Sequence, residues 1–170
     1  MKIVDTGAPA CFGDGSSGAC PCGNQGAIGR GCENSASTGG ARLEATGFAN
    51  LSADSVVLTS AGGMPTANSI FLQGDQNAAP LAFGDGLRCA GGILERLYLK
   101  GAVAGVTSAP DVPGGDMSVS ARSAFLGDTI AAGTSRIYQV YYRDPSPTFC
   151  PAPAGNTWNA SSAVVVTWFP

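Results

Sequence analysis

Short runs of alternating hydrophobic and polar residues fill most of this chain, and turn formers close nearly every run. Residues 43–46 end at Gly47, residues 55–59 stop before Gly62, Gly63 and Pro65, and residues 69–73 stop at Gly74-Asp75. β-Branched and aromatic residues bounded by Gly, Pro and Asp are the pattern of strands and turns. Residues 81–83 and 87–89 flank a Gly-Asp-Gly phrase and read the same way. Residues 93–100 place Leu94, Leu97 and Tyr98 near helical spacing, but glycine on both sides and a short length favour a strand. Residues 117–122 alternate and predict another strand. In residues 136–143, Tyr138, Val140 and Tyr142 share one face and Ile137, Gln139 and Tyr141 the other. The last run, 162–169, is almost continuously apolar, which predicts burial on both faces.

About eight to ten short strands and no helix predict an all-β fold, an antiparallel β-sandwich of the jelly-roll kind. The predicted core is Val56, Leu58, Phe71, Leu97, Val119, Tyr138, Val140, Val164, Val166 and Trp168. No linker divides the chain, so residues 11–170 form one domain, preceded by an extended arm over 1–10 in which Ile3 and Val4 can pair at a sheet edge.

One stretch breaks the pattern. Residues 11–32 hold four of the six cysteines and seven of the 25 glycines, a composition that supports neither helix nor central strand. This Cys/Gly-rich segment, extending to residue 41, needs cross-links to hold a shape. An even cysteine count fits disulfides in an oxidising compartment and hence a secreted or cell-surface protein. Cys20 and Cys22 flank one proline and are expected to reach different partners. Two bridges inside 11–32 and a third joining Cys89 to Cys150 are the favoured arrangement. The alternative, a zinc site of four cysteines, lacks the paired C-x2-C spacing, since the run is C-x8-C-x-C-x9-C.

Composition removes several functions. A net charge of −3 with no basic cluster argues against nucleic acid, and no apolar run approaches the roughly 20 residues of a membrane-spanning helix. Residues 1–5 have no apolar signal core, so export implies a leader already removed or a longer parent chain. There is no histidine, which excludes Ser-His-Asp and Cys-His catalysis and His-ligated zinc. Two carboxyls suffice for a glycosidase, but most of the 12 Asp and Glu residues lie beside Gly or Pro in turns, where Asp bonds its own backbone. No enzyme is expected.

Two binding chemistries remain. Phe12-Gly13-Asp14-Gly15 recurs as Phe83-Gly84-Asp85-Gly86, and Asp14, Asn24, Asp75 and Asp85 could offer oxygens to calcium, although no EF-hand register is present. The competing reading makes each Gly-Asp-Gly a tight turn. Trp158, in a polar stretch, with Tyr98, Tyr141 and Phe149, could stack on sugar rings; packing near Cys150 is the alternative for Trp158. Asn50 and Asn159 begin N-glycosylation acceptor patterns.

CFGDGSSGACPCGNQGAIGRGCENSAS, FGDGLRCAGG, YQVYYRDPSPTFC and AVVVTWFP, in that order, resemble an uncharacterised Cys/Gly-rich domain found near the C-terminus of large secreted or surface proteins of environmental bacteria. The resemblance runs from Cys11 to the end and implies an extracellular, all-β, disulfide-bearing module. It brings no activity and no functional residues. Residues 1–10 lead straight into the motif, without the large upstream region that the resemblance leads one to expect. The first expectation is a non-catalytic structural or interaction module that partners other surface proteins or itself. The second is a carbohydrate-binding module for polysaccharide. The third is a subunit of an extracellular filament, in which residues 1–10 or 162–169 add to a neighbour's sheet edge.

Overall fold

Eight strands and one helix make up the computed structural model, which describes residues 6–150 and 158–170. In chain order they are β1 Ala8–Ala10, β2 Arg42–Thr46, β3 Val57–Ala61, β4 Asn68–Phe83, β5 Gly86–Gly101, β6 Val106–Ala109, α1 Val119–Leu126, β7 Ser135–Arg143 and β8 Trp158–Thr167. They build a five-stranded antiparallel sheet, β1-β8-β7-β4-β5, and a three-stranded one, β2-β3-β6. The two lie face to face in a β-sandwich-like arrangement over one core.

Alternation decides which side chains meet there. Leu43 and Ala45 of β2 and Leu58 of β3 face Phe71, Tyr138, Val140, Val164 and Val166 of the larger sheet. All ten predicted core residues are buried. Trp168 closes one end, with its indole N–H donating to the Tyr138 hydroxyl at 3.1 Å. Burying each large aromatic or aliphatic side chain here contributes about 1.5–3 kcal/mol.

Strands β4 and β5, 16 residues each, form one long hairpin rather than several short strands. The segment predicted over 93–100 belongs to it and is strand, not helix. Register shifts between Gly74 and Gln76 and between Asn77 and Leu81 bend the hairpin. Its tip, with Gly84 at φ 58°, is a two-residue loop with glycine first, as a type II′ turn requires.

Residues 117–122 are not a strand: α1 occupies Val119–Leu126. Ser118 makes no side-chain cap, and Asp54 supplies one from elsewhere, accepting from the Ser120 N–H at 2.7 Å and its hydroxyl at 2.8 Å. The helix stops at Gly127, φ 108°, where the Gly127 and Asp128 N–H groups reach the Ala124 and Ser123 carbonyls.

The outer face of the five-stranded sheet is half covered. Residues 11–41 lie across it with little regular structure, and a second cluster forms beneath them from Cys11, Cys20, Cys32, Leu72, Leu87 and Ile137. That cover is why β8 is buried on both faces. Contact is close: a Cβ on Gly31 would lie 2.4 Å from the Ala160 carbonyl oxygen of β8. The predicted arm contributes β1, which pairs with β8 from Ala8↔Val165 to Ala10↔Ala163. The proposed pairing of Ile3 and Val4 lies outside the described residues.

The disulfides are Cys11–Cys89, Cys20–Cys32 and Cys22–Cys150. Only one bridge is internal to 11–32, and Cys89 does not join Cys150. The pairing follows from placement: the β4–β5 hairpin carries Cys89 onto the covered half of the sheet, beside Cys11. With all six cysteines bonded, the four-cysteine zinc reading falls.

Candidate functional site

Of the four side chains considered for calcium, the fold uses three to hold its own backbone. Asp14 is a half-buried turn former whose carboxylate accepts from the Ser16 hydroxyl, the Gly29 N–H at 2.8 Å and the Ser16 N–H at 2.9 Å. Those bonds, the Ser16 hydroxyl first, hold its carboxyl below the ordinary value. Asp75 accepts from the Ile93 N–H at 2.7 Å across the bent hairpin. Asn24 donates through Nδ2 to the Glu33 and Asp85 carbonyls, both at 2.8 Å. Asp85 is fully buried, and its own N–H donates to the Trp158 carbonyl at 3.0 Å. The two Phe-Gly-Asp-Gly phrases therefore differ: one turn is at the surface, the other is an internal hairpin tip. Among the described residues, no three His, Cys, Asp or Glu side chains gather where a metal ion could sit.

Trp158 is not in a loop. It is the first residue of β8, half-buried and paired with Arg143 of β7. The second Phe-Gly-Asp-Gly phrase sets its position. A Cβ on Gly84 would lie 2.4 Å from indole Cδ1 and 2.6 Å from Nε1, so only glycine lets the hairpin tip pass beneath the ring. Phe83 stands beside it at 6.0 Å between centroids and meets Tyr141 edge to face at 5.4 Å. The Arg88 guanidinium lies over the Phe83 ring, 5.2 Å from its centroid.

Trp158 and Tyr141 flank a cleft of about 270 Å³ on the uncovered half of the outer face. Strand register builds it. Leu99, Ile70 and Tyr141 are cross-strand neighbours on β5, β4 and β7, and Arg143 and Trp158 are neighbours on β7 and β8. Asn68, two residues before Ile70, shares its face and also lines the cleft. Leu99 is 65% exposed. The lining is aromatic and aliphatic, with one amide and one guanidinium and no carboxylate.

Trp158 and Tyr141 were recognisable as candidates, but Asn68, Ile70, Leu99 and Arg143 were not. Their signal is positional, since each sits on the face of its strand that residues 11–41 leave open. Of the other aromatic candidates, Tyr98 is buried with its hydroxyl on the Met117 carbonyl at 2.9 Å, and Phe149 is half-buried outside the cleft. Asn159 is no glycosylation acceptor in this fold: it is fully buried, with Nδ2 on the Glu33 carbonyl at 2.8 Å. Compared with family models, curated proteins and solved structures, the chain matches none.

Proposed function

We propose that the chain is a non-catalytic extracellular interaction module that works through the uncovered half of its five-stranded sheet. The observation that carries this reading is the cleft: a preformed, aromatic-walled surface without an acid, base or nucleophile pair in its lining. Several carboxylates elsewhere hold the fold. Asp54 caps α1, Glu33 accepts from the Asn34, Gly39 and Gly40 N–H groups, and Asp144 accepts from Ser35. Glycoside hydrolysis needs two carboxyls about 5–9.5 Å apart across the bond, and the cleft offers none. Three disulfides support placement in an oxidising compartment, in keeping with a secreted or surface protein. Among the described residues no helix is long and apolar enough to cross a membrane.

Filament assembly by strand addition is the less favoured reading, because β8 is an inner strand with β1 on one side and β7 on the other. A donated segment would have to be the arm before β1, not residues 162–169.

Incubation of the oxidised protein with polysaccharides, esters and peptides tests the first reading. No turnover is expected. Turnover abolished by a single Asp or Glu substitution overturns it.

A further inference from the structure

We propose that the cleft between Leu99 and Trp158 binds a pyranose ring of a polysaccharide. The inference rests on reading the chain as an interaction module and names the ligand class of that surface. Its first support is shape. At about 270 Å³ the cleft falls just below the roughly 300–1,000 Å³ of small-molecule pockets, room for a sugar ring rather than a folded partner. It crosses the face of four strands, the last of them the edge strand β5, and its lining is side chains on that face rather than the backbone ladder that a peptide strand pairs with. A ligand there is held by side chains.

The side chains suit a sugar. A pyranose has one face of C–H groups, which carry slight positive charge and match the negative face of an aromatic ring. Tyr141 and Trp158 supply such rings, and Ile70 and Leu99 extend the apolar floor. The ring also carries a rim of hydroxyls that both donate and accept. The Asn68 amide can do both, and the Arg143 guanidinium is a planar donor suited to paired oxygens, whether vicinal hydroxyls or a uronate carboxylate. One cation and a chain charge of −3 are too little for a nucleic-acid backbone. The aromatic walls are fixed in advance by Phe83 and Gly84, which reduces the ordering that binding would require.

Two other clefts serve less well. One of about 440 Å³ beside β1 is lined by Thr6, Thr167, Phe48, Phe169 and small residues, with only two hydroxyls for directional bonds. Another, of about 360 Å³, offers no exposed ring, since Tyr98, the one aromatic in its lining, is buried with its hydroxyl on the Met117 carbonyl.

The test is calorimetric titration of the oxidised protein with two sets of oligosaccharides, neutral (glucan, mannan and xylan fragments) and uronic (alginate and polygalacturonate fragments). Binding to at least one set is expected. Tyr141→Ala should weaken it about tenfold or more, the scale of one lost aromatic contact. Because Tyr141 is half-buried, Leu99→Asp serves as a second variant at an exposed position and should weaken binding without altering the melt. Arg143→Ala should weaken the uronic set more than the neutral one if the carboxylate is what Arg143 holds, and both alike if it holds hydroxyls. No binding by either set at millimolar ligand overturns the sugar assignment, as does binding that Leu99→Asp leaves unchanged. Either result stands apart from the failure of the non-catalytic reading, which requires turnover.

Discussion

Side chains make the order of the sandwich: Phe71, Tyr138 and Trp168 are each 1% exposed or less and interlock between the two sheets. In residues 11–41 the packing atoms are backbone. A Cβ on Gly26 would lie 1.9 Å from the Gly31 carbonyl oxygen, and Gly31 in turn presses on β8. Gly13 and Gly26 donate to the Arg30 and Gly13 carbonyls at 2.8 and 2.9 Å, and the Glu33 carboxylate gathers three further N–H groups. The two regions hold their shape by opposite means, and the stapled segment keeps much of its length half-buried or exposed. The core excludes water with apolar volume, whereas the stapled segment removes side chains so that chains can touch, and disulfides hold what little apolar surface remains. The glycines of such a segment mark close contact rather than looseness.

The largest expected effects come from the staples. The bridges Cys22–Cys150, Cys11–Cys89 and Cys20–Cys32 span sequence separations of 128, 78 and 12. In the chain-entropy model, paired Cys→Ser substitutions should destabilise by about 5, 4.5 and 3 kcal/mol in that order. Urea unfolding of the three double variants checks the ranking. If the Cys20–Cys32 pair costs as much as Cys11–Cys89, the segment is held from within and the contrast with the core collapses.

A smaller pair of changes compares the two kinds of packing directly. Gly31→Ala adds one methyl where backbone meets backbone, while Val140→Ala removes volume from the sandwich, where Val140 is fully buried. Overpacking of a rigid contact is expected to cost about 3 kcal/mol and the core truncation about 2 kcal/mol. Melting both variants measures this, and a Gly31→Ala protein as stable as the wild type would mean that the segment yields where it now looks tight.

The same contrast explains how far the fold could be read in advance. In the sandwich, local pattern and tertiary role agree. Tyr138, Val140 and Tyr142 alternate with Ile137, Gln139 and Tyr141 because one face meets the core and the other the outer cluster. The apolar run of β8 reports its two-sided burial for the same reason. Helix α1 was hidden because its cap, Asp54, lies 66 residues from Ser120, so residues 117–122 looked like a strand. The cysteine pairing was hidden because it depends on where the bent hairpin delivers Cys89. The cleft was half legible: aromatic candidates can be seen in a chain, but which face of a sheet stays open depends on where residues 11–41 lie down.

The smallest effect concerns a third way of holding the molecule together, charge. Asp128, just past α1, is gripped by Arg136 of β7 through two bonds, Nε to Oδ2 at 2.7 Å and Nη2 to Oδ1 at 2.6 Å, with both side chains about 10% exposed. Gln73 of β4 donates to the same carboxylate at 2.9 Å and to the Ser123 hydroxyl at 2.7 Å, tying the helix to the sheet. The Arg136 hydrogen bond, foremost, holds the Asp128 carboxyl below its ordinary value, and burial opposes it. A carboxyl depressed in the folded state contributes stability above its unfolded value, roughly pH 4, and loses that contribution as pH falls through the folded value. Asp128→Asn should therefore destabilise by about 2 kcal/mol at pH 7, the scale of a charge-assisted bond. The difference from wild type should shrink as pH falls below about 4 and the wild-type carboxyl takes up its proton. Chemical denaturation of both proteins at pH 7, 4 and 2.5 reads this directly. Parallel stability curves across that range would mean that the Asp128 charge contributes nothing, and that Gln73 and Ser123 alone join α1 to the sheet.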